Sequence, residues 1–167
     1  TACVHKIQVT PTPSEPAATP IPGTAQIQVP FLALEGPDHM PGIVLLEWRA
    51  KDLQRAIVDY FARRETFTAV GTEPGEWRVV VKSWLTMRAP DRYVYRIHLE
   101  ADISRPGQPV LKSYGADGEA TGSSVRWVTS SDQEPINEAT NRALDDLARK
   151  IEADRELLPT LKTLAPR

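Results

Sequence analysis

The chain has almost no cysteine: Cys3 stands alone in 167 residues. A single thiol excludes an internal disulfide framework and any multi-cysteine metal site. Charge of one sign is also lacking, with 20 Lys and Arg against 22 Asp and Glu. The sequence therefore carries no electrostatic footprint for nucleic acid. No run approaches the roughly 20 apolar residues that a spanning helix needs. The longest near the start, from Val29 to Leu34, is interrupted by Pro30. Histidine is scarce, and His5, His39 and His98 have no metal-ligand spacing. The glycines form no phosphate loop, and Ser123-Ser124 and Ser130-Ser131 lie outside any Gly-x-Ser-x-Gly elbow. Glu100 and Asp102 share the wet face of one strand pattern, without the cleft and split environments that an acid–base pair requires. The expectation is a protein with no catalytic residues, no metal and no cofactor.

What is present begins with Thr1-Ala2-Cys3. Two small residues followed by cysteine form the right half of a bacterial lipobox, in which the cysteine carries lipid. The bland alternative is an incidental thiol. With Cys3 as the lipidation site, the chain is an envelope protein held on a membrane by acyl chains. Val4 after the cysteine favours the outer membrane, by similarity to bacterial lipoproteins. Residues 10–24 then hold five of the 15 prolines. Each fixes φ and removes a donor, which opposes helix and central strand alike. Residues 1–24 read as anchor and extended tether, at roughly 3.1 Å per residue. Such a composition buries little, so this segment is expected to add little to the fold.

The folded part is expected over residues 25–158, with a short tail from 159 to 167. Ala25–Leu34 reads as a strand. From Ile43 or Trp48 to Glu65 the pattern is helical, with Leu53, Ala56, Ile57, Tyr60 and Phe61 at three- and four-residue spacing. Thr66–Val70 is a short strand. Trp77–Arg88 and Tyr93–Ile103 alternate with period two and join through Ala89-Pro90-Asp91, a hairpin signal. A turn at Arg105-Pro106-Gly107 leads to a strand over Val110–Thr121, which Gly115 and Gly118 weaken. Ser131-Asp132-Gln133-Glu134 has capping-box spacing before Pro135, and Ile136, Ala139, Ala143, Leu144, Leu147 and Ile151 form one apolar stripe. That helix is expected to end by Pro159. The order implies an α+β two-layer sandwich: a mainly antiparallel sheet of four to five strands with two helices packed on one face.

If both helices cover one face, the other meets solvent. Trp84 and Val80 alternate with the apolar set of their strand and point to that second face, while Trp127 lies near a strand end. These three are the candidate partner-binding residues. The plain alternative is that a loop covers Trp84.

A likeness is carried by Ala2-Cys3, the Pro-rich spacer and the first strand. It continues through Leu53-x-x-Ala56-Ile57-x-x-x-Phe61, Phe67, and Glu138-Ala139-x-x-x-Ala143-Leu144-x-x-Leu147-Ala148-x-x-Ile151. Over residues 25–152 this resembles the small Gram-negative envelope lipoproteins with an α/β sandwich head. These include the LPS-assembly lipoprotein LptE, the auxiliary lipoproteins of ABC-type lipid transporters and the YajG group. The resemblance implies a non-enzymatic, lipid-anchored accessory subunit of envelope assembly or of lipid or polysaccharide transport. It would sit on the periplasmic side of the outer membrane and bind an envelope protein or further copies of itself. Only the lipidated cysteine carries over, onto Cys3. The alternative is a soluble periplasmic ligand-binding or oligomer-forming module without an anchor.

Overall fold

The computed structural model describes residues 3–35, 44–88, 92–122 and 132–161. Its main sheet contains β2 (Ile21–Gln28), β3 (Leu32–Glu35), β5 (Phe67–Gly71), β6 (Trp77–Arg88), β7 (Val94–Ser104) and β8 (Val110–Thr121). The strand order is β5-β2-β6-β7-β8, with β3 following β2 along the same edge of β6. A second pair joins β1 (Cys3–Lys6) to β4 (Val44–Glu47) in parallel. Two helices, α1 (Ala50–Arg64) and α2 (Gln133–Ala153), cover one face of the sheet.

The period-two segments are strands for the reason their spacing implies. On β6, Trp77, Val79, Val81, Leu85 and Met87 are buried, and on β7 Tyr95, Ile97, Leu99, Ala101 and Ile103. One side of each strand thus meets the helices, and the other is half-buried or exposed. The β6–β7–β8 meander is antiparallel, as expected. The turn into β8 places Gly107 at φ 71°, and Gln108 N–H donates to the Arg105 carbonyl at 3.0 Å. Pro106 before a positive-φ glycine suits that turn.

The sheet is mixed rather than purely antiparallel. β2 pairs in parallel with both β5 and β6, and β3 in parallel with β6. The connection from β2 to β5 passes through α1, and such a crossover returns the chain in the same direction. Other element bounds shift for local reasons. Ala25–Leu34 is divided into β2 and β3 around Pro30, whose missing N–H cannot continue a ladder. Ile43 lies outside the described residues, and Val44–Glu47 is strand rather than helix. α1 stops at Glu65, which adopts the left-handed conformation at φ 61°. At the start of α2 the cap position is Asp132 and makes no side-chain cap bond; its carboxylate accepts from Tyr95 Oη–H instead. α2 ends at Ala153, short of Pro159, which sits in a 3-10 turn at Leu158–Thr160.

The largest departure is the N-terminal segment, which is not a free tether. Ile7 and Val9 are 3% and 7% exposed, and Pro11 is buried too. Gln8, Thr10 and Thr12 alternate with them and face outward. The N–H groups of these three donate to the side-chain oxygens of Gln133, Asn137 and Asn141, at 3.0, 2.7 and 2.6 Å. A row spaced by four on a helix thereby meets a row spaced by two on an extended chain. Four helical residues rise about 6 Å and two extended residues about 6.6 Å, so the two rows match. On its other edge the segment continues β1, and Ile7 N–H donates to the Glu47 carbonyl at 2.9 Å. Pro11 and Pro13 fall in the same alternate set as Ile7. Their missing N–H groups would point toward the α1 side, where a helix keeps its carbonyls for itself.

The segment closes on Arg64, which is 2% exposed. Arg64 grips Glu152 of α2 with two bonds, Nε to Oε1 at 2.7 Å and Nη2 to Oε2 at 2.9 Å. Its Nη1 donates to the Glu15 carbonyl at 3.0 Å, and Ala17 N–H donates to the Arg64 carbonyl at 2.7 Å. Tyr60 Oη–H donates to Asp145 beside them. The strap thus lies between α1 and α2 and completes the helical layer. The expected boundary between tether and head at residue 24 does not exist as a physical boundary. Ile21, placed in the tether by composition, begins β2 and is fully buried.

Candidate docking groove on the open sheet face

The face opposite the helices presents rows of side chains fixed by register. Trp84, His98 and Asp117 lie side by side on β6, β7 and β8. The next row toward one end is Thr86, Arg96 and Glu119, and beyond it Arg88, Val94 and Thr121. Glu35 of β3 pairs with Thr86. These rows line an open groove of about 440 Å³.

Trp84 is half-buried and forms the floor. Phe31, 38% exposed, meets it edge-on with ring centroids 5.2 Å apart, and the His98 ring lies 5.5 Å away on the other side. Phe31 follows Pro30 in the break between β2 and β3, so the interruption of that strand delivers the ring. The result is an aromatic ridge from the β2–β3 break across β6 and β7. Edge-on and offset ring pairs add about 0.5–1.5 kcal/mol each beyond area burial.

Charges of both signs surround the ridge. His98 Nδ1 lies 3.0 Å from Asp117 Oδ1, and its Nε2 lies 3.4 Å from Glu100 Oε1. Arg96 Nε donates to the same Asp117 oxygen at 3.2 Å. Partial burial opposes the Asp117 charge, but the hydrogen bond from His98 and the His98 and Arg96 charges outweigh it and hold the carboxyl below its ordinary range. Arg88, Glu119 and Glu35 form an exposed rim of mixed charge.

The three candidate binding residues do not converge. Trp84 is in the groove. Val80 is on the same face, but in the row of Asp102 and Ser113, beyond Lys82. There Asp102 is bound by Lys82 at 3.0 Å and by Ser113 Oγ–H at 2.5 Å, so Val80 borders a polar cluster. Trp127 lies outside the described residues. The sequence reading missed Phe31, because a residue next to a proline has no periodicity to place it. It treated His98 as a solitary surface histidine and passed over Arg96, Asp117 and Glu119. Alternation places Arg96 and His98 on an outward face; only strand pairing sets Asp117 and Glu119 beside them.

Among the described residues, no three His, Cys, Asp or Glu side chains converge as metal ligands, and no helix is long and apolar enough to cross a membrane. The arrangement suits recognition. An apolar floor with a charged rim resembles the centre and edge of a protein-binding patch.

No known family model matches the sequence, and no curated protein matches it. Solved structures do. The chain is similar to protein XCC0632 from Xanthomonas campestris, of family DUF330, with a TM-score of 0.54 and 15% identity, covering 96% of this chain and 100% of that one. It is also similar to a candidate lipoprotein from Caulobacter crescentus CB15, with a TM-score of 0.39 and 16% identity, covering 81% and 92%. The first likeness establishes a shared fold along nearly the whole chain; the second is too distant to carry an argument.

Proposed function

We propose that this chain is a lipid-anchored envelope protein whose α+β head docks a partner through the open face of its sheet. The observation that carries the reading is the Phe31–Trp84–His98 ridge, aromatic and solvent-facing, on a sheet whose other face is already covered. The anchor rests on the small-small-cysteine sequence at Cys3, and the accessory role in envelope assembly or transport on the resemblance to envelope lipoproteins. The non-enzymatic reading rests on the sequence, in which no nucleophile–base pairing is visible.

Two measurements test this. Expressed with its natural leader, the protein should enter the outer-membrane fraction, and Cys3→Ser should release it. A photo-crosslinking amino acid at Phe31 should trap a discrete adduct in cells, while the same group at Arg149, on the outer side of α2, should not. Trp84→Ala should abolish the Phe31 adduct. Equal fractionation of wild type and Cys3→Ser would remove the anchor and favour the soluble module. Adducts equal at Phe31 and Arg149 would remove the docking face.

A further inference from the structure

The strap has a direction relative to the two helices. Gln8 binds Gln133 in the first turn of α2, Thr12 binds Asn141 two turns later, and Glu15 and Ala17 meet Arg64 at the last turn of α1. Ile7 binds Glu47, just ahead of α1. The strap and both helices therefore run the same way. Their N-terminal ends lie together, and Cys3 projects past them by about 17 Å of extended chain.

The groove is at that same end. β2 starts beside the end of α1, where Ile21 N–H donates to the Thr66 carbonyl at 2.8 Å. It finishes beside the first half of α1, where Val29 N–H donates to Gln54 Oε1 at 2.8 Å. β6 runs parallel to it, so Arg88 is at the helix N-terminal end and Trp77 at the far one. Two bonds fix β7 and β8 likewise: Tyr95 Oη–H donates to Asp132 at the start of α2, and Gly122 N–H donates to the Tyr93 carbonyl at 2.7 Å. Arg88, Val94 and Glu119 thus lie toward Cys3, while Ser104 and Val110 lie away from it.

We propose that residues 8–17 are a rigid strap that fixes the head on its anchor with the Trp84 groove at the membrane-proximal end. The proposal rests on the anchor reading for Cys3. A free Pro-rich spacer of 21 residues, at about 3.1 Å per residue, would let the head tumble as far as roughly 65 Å from the lipid. A strap leaves only the residues before Lys6 to link them.

Trypsin reads the strap without any lipid. Lys6–Ile7 is the only tryptic bond between Cys3 and Arg49. In soluble Cys3→Ser protein that bond should resist trypsin. The triple substitution Gln133→Ala, Asn137→Ala and Asn141→Ala should expose it, raising the rate of cleavage at Lys6 at least tenfold while a cooperative unfolding transition remains. Equal cleavage of both proteins would overturn the strap. The attitude of the head is read on lipidated protein in vesicles. A fluorophore at Thr121→Cys should be quenched by spin-labelled lipid headgroups, and one at Val110→Cys, about 35 Å away at the other end of the same strand, should not. Equal quenching would overturn the membrane-proximal groove. Should Cys3→Ser fractionate like wild type, the anchor itself fails and the membrane end of the proposal falls with it. The trypsin comparison would still judge the strap.

Discussion

Arg64 offers the sharpest test of how the N-terminal strap and the two helices are bound into one body. Its side chain is 3% exposed and that of Glu152 14%, and their two hydrogen bonds are the strongest link between α1 and α2. The same guanidinium holds the Glu15 carbonyl, and Glu152 also accepts from Thr66 Oγ1 at 2.8 Å. The bond to Glu152 raises the Arg64 pKa, and burial, which opposes the charge, is outweighed. Arg64→Met keeps most of the apolar stem but strands the Glu152 carboxylate and the Glu15 carbonyl. Breaking a buried pair from one side costs about 3–5 kcal/mol. Replacing both partners, as in Arg64→Met with Glu152→Leu, should cost less than the single change, because no buried charge is left alone. Urea unfolding of the four proteins in the cycle gives the coupling, expected at about 2 kcal/mol or more. A cost below about 1 kcal/mol for Arg64→Met, the range of a solvent-exposed pair, would refute the reasoning.

Four further outcomes follow from the packing. Ile7→Ala should destabilise the head by about 2–4 kcal/mol in urea unfolding, contrary to what a tether composition implies; a change under 0.5 kcal/mol, as roughly expected of a surface residue, would return the segment to a free tether. Gly118→Ala should cost about 1–3 kcal/mol or more, since a Cβ there would fall 1.8 Å from the Ala139 carbonyl oxygen of α2. Gly115→Ala, whose nearest neighbour would be His98 Cε1 at 3.8 Å, should be neutral or slightly stabilising; similar losses at both glycines in thermal unfolding would contradict the helix contact. Trp84→Ala should cost the isolated protein less than half of what Trp77→Ala costs, because Trp77 is 1% exposed and donates to the Pro22 carbonyl at 2.8 Å. For Trp77 the expectation is about 3–5 kcal/mol, and an equal loss at Trp84 would place it in the core.

Stability should also fall at both ends of the pH range. The Asp154 carboxyl is held below its ordinary value by Lys112 and Tyr114, and Asp102 is held low by Ser113 and Lys82 against partial burial. A lowered folded-state pKa means stability that is present above about pH 4 and lost as pH drops further. Burial, and then the bonds to Asp145 and Asp154, raise the Tyr60 and Tyr114 hydroxyls above their ordinary value. Their contribution holds below about pH 10 and declines above it. A urea midpoint that stays flat from pH 10 to 12 would contradict the buried hydroxyl bonds.

Local pattern was enough for the layers. Alternation in Trp77–Arg88 and Tyr93–Ile103, and the stripes from Leu53 to Phe61 and from Ile136 to Ile151, specify strands and helices with one apolar side each. That alone places both helices on one face and Trp84 on the other, because side chains on a strand alternate. Two things were beyond such patterns. The first is pairing: β2 and β3 join β6 across about fifty residues, and only that register brings Phe31 to Trp84. The second is the strap. By composition Thr10-Pro11-Thr12-Pro13 is a spacer, since it has few groups to bury and few donors to pair. Its partners lie more than 120 residues away, in a row of amides on α2 that reads in sequence as an ordinary wet face. A segment without structure of its own becomes ordered when the fold supplies acceptors at the spacing of its alternate N–H groups, and that spacing exists only once α2 is in place.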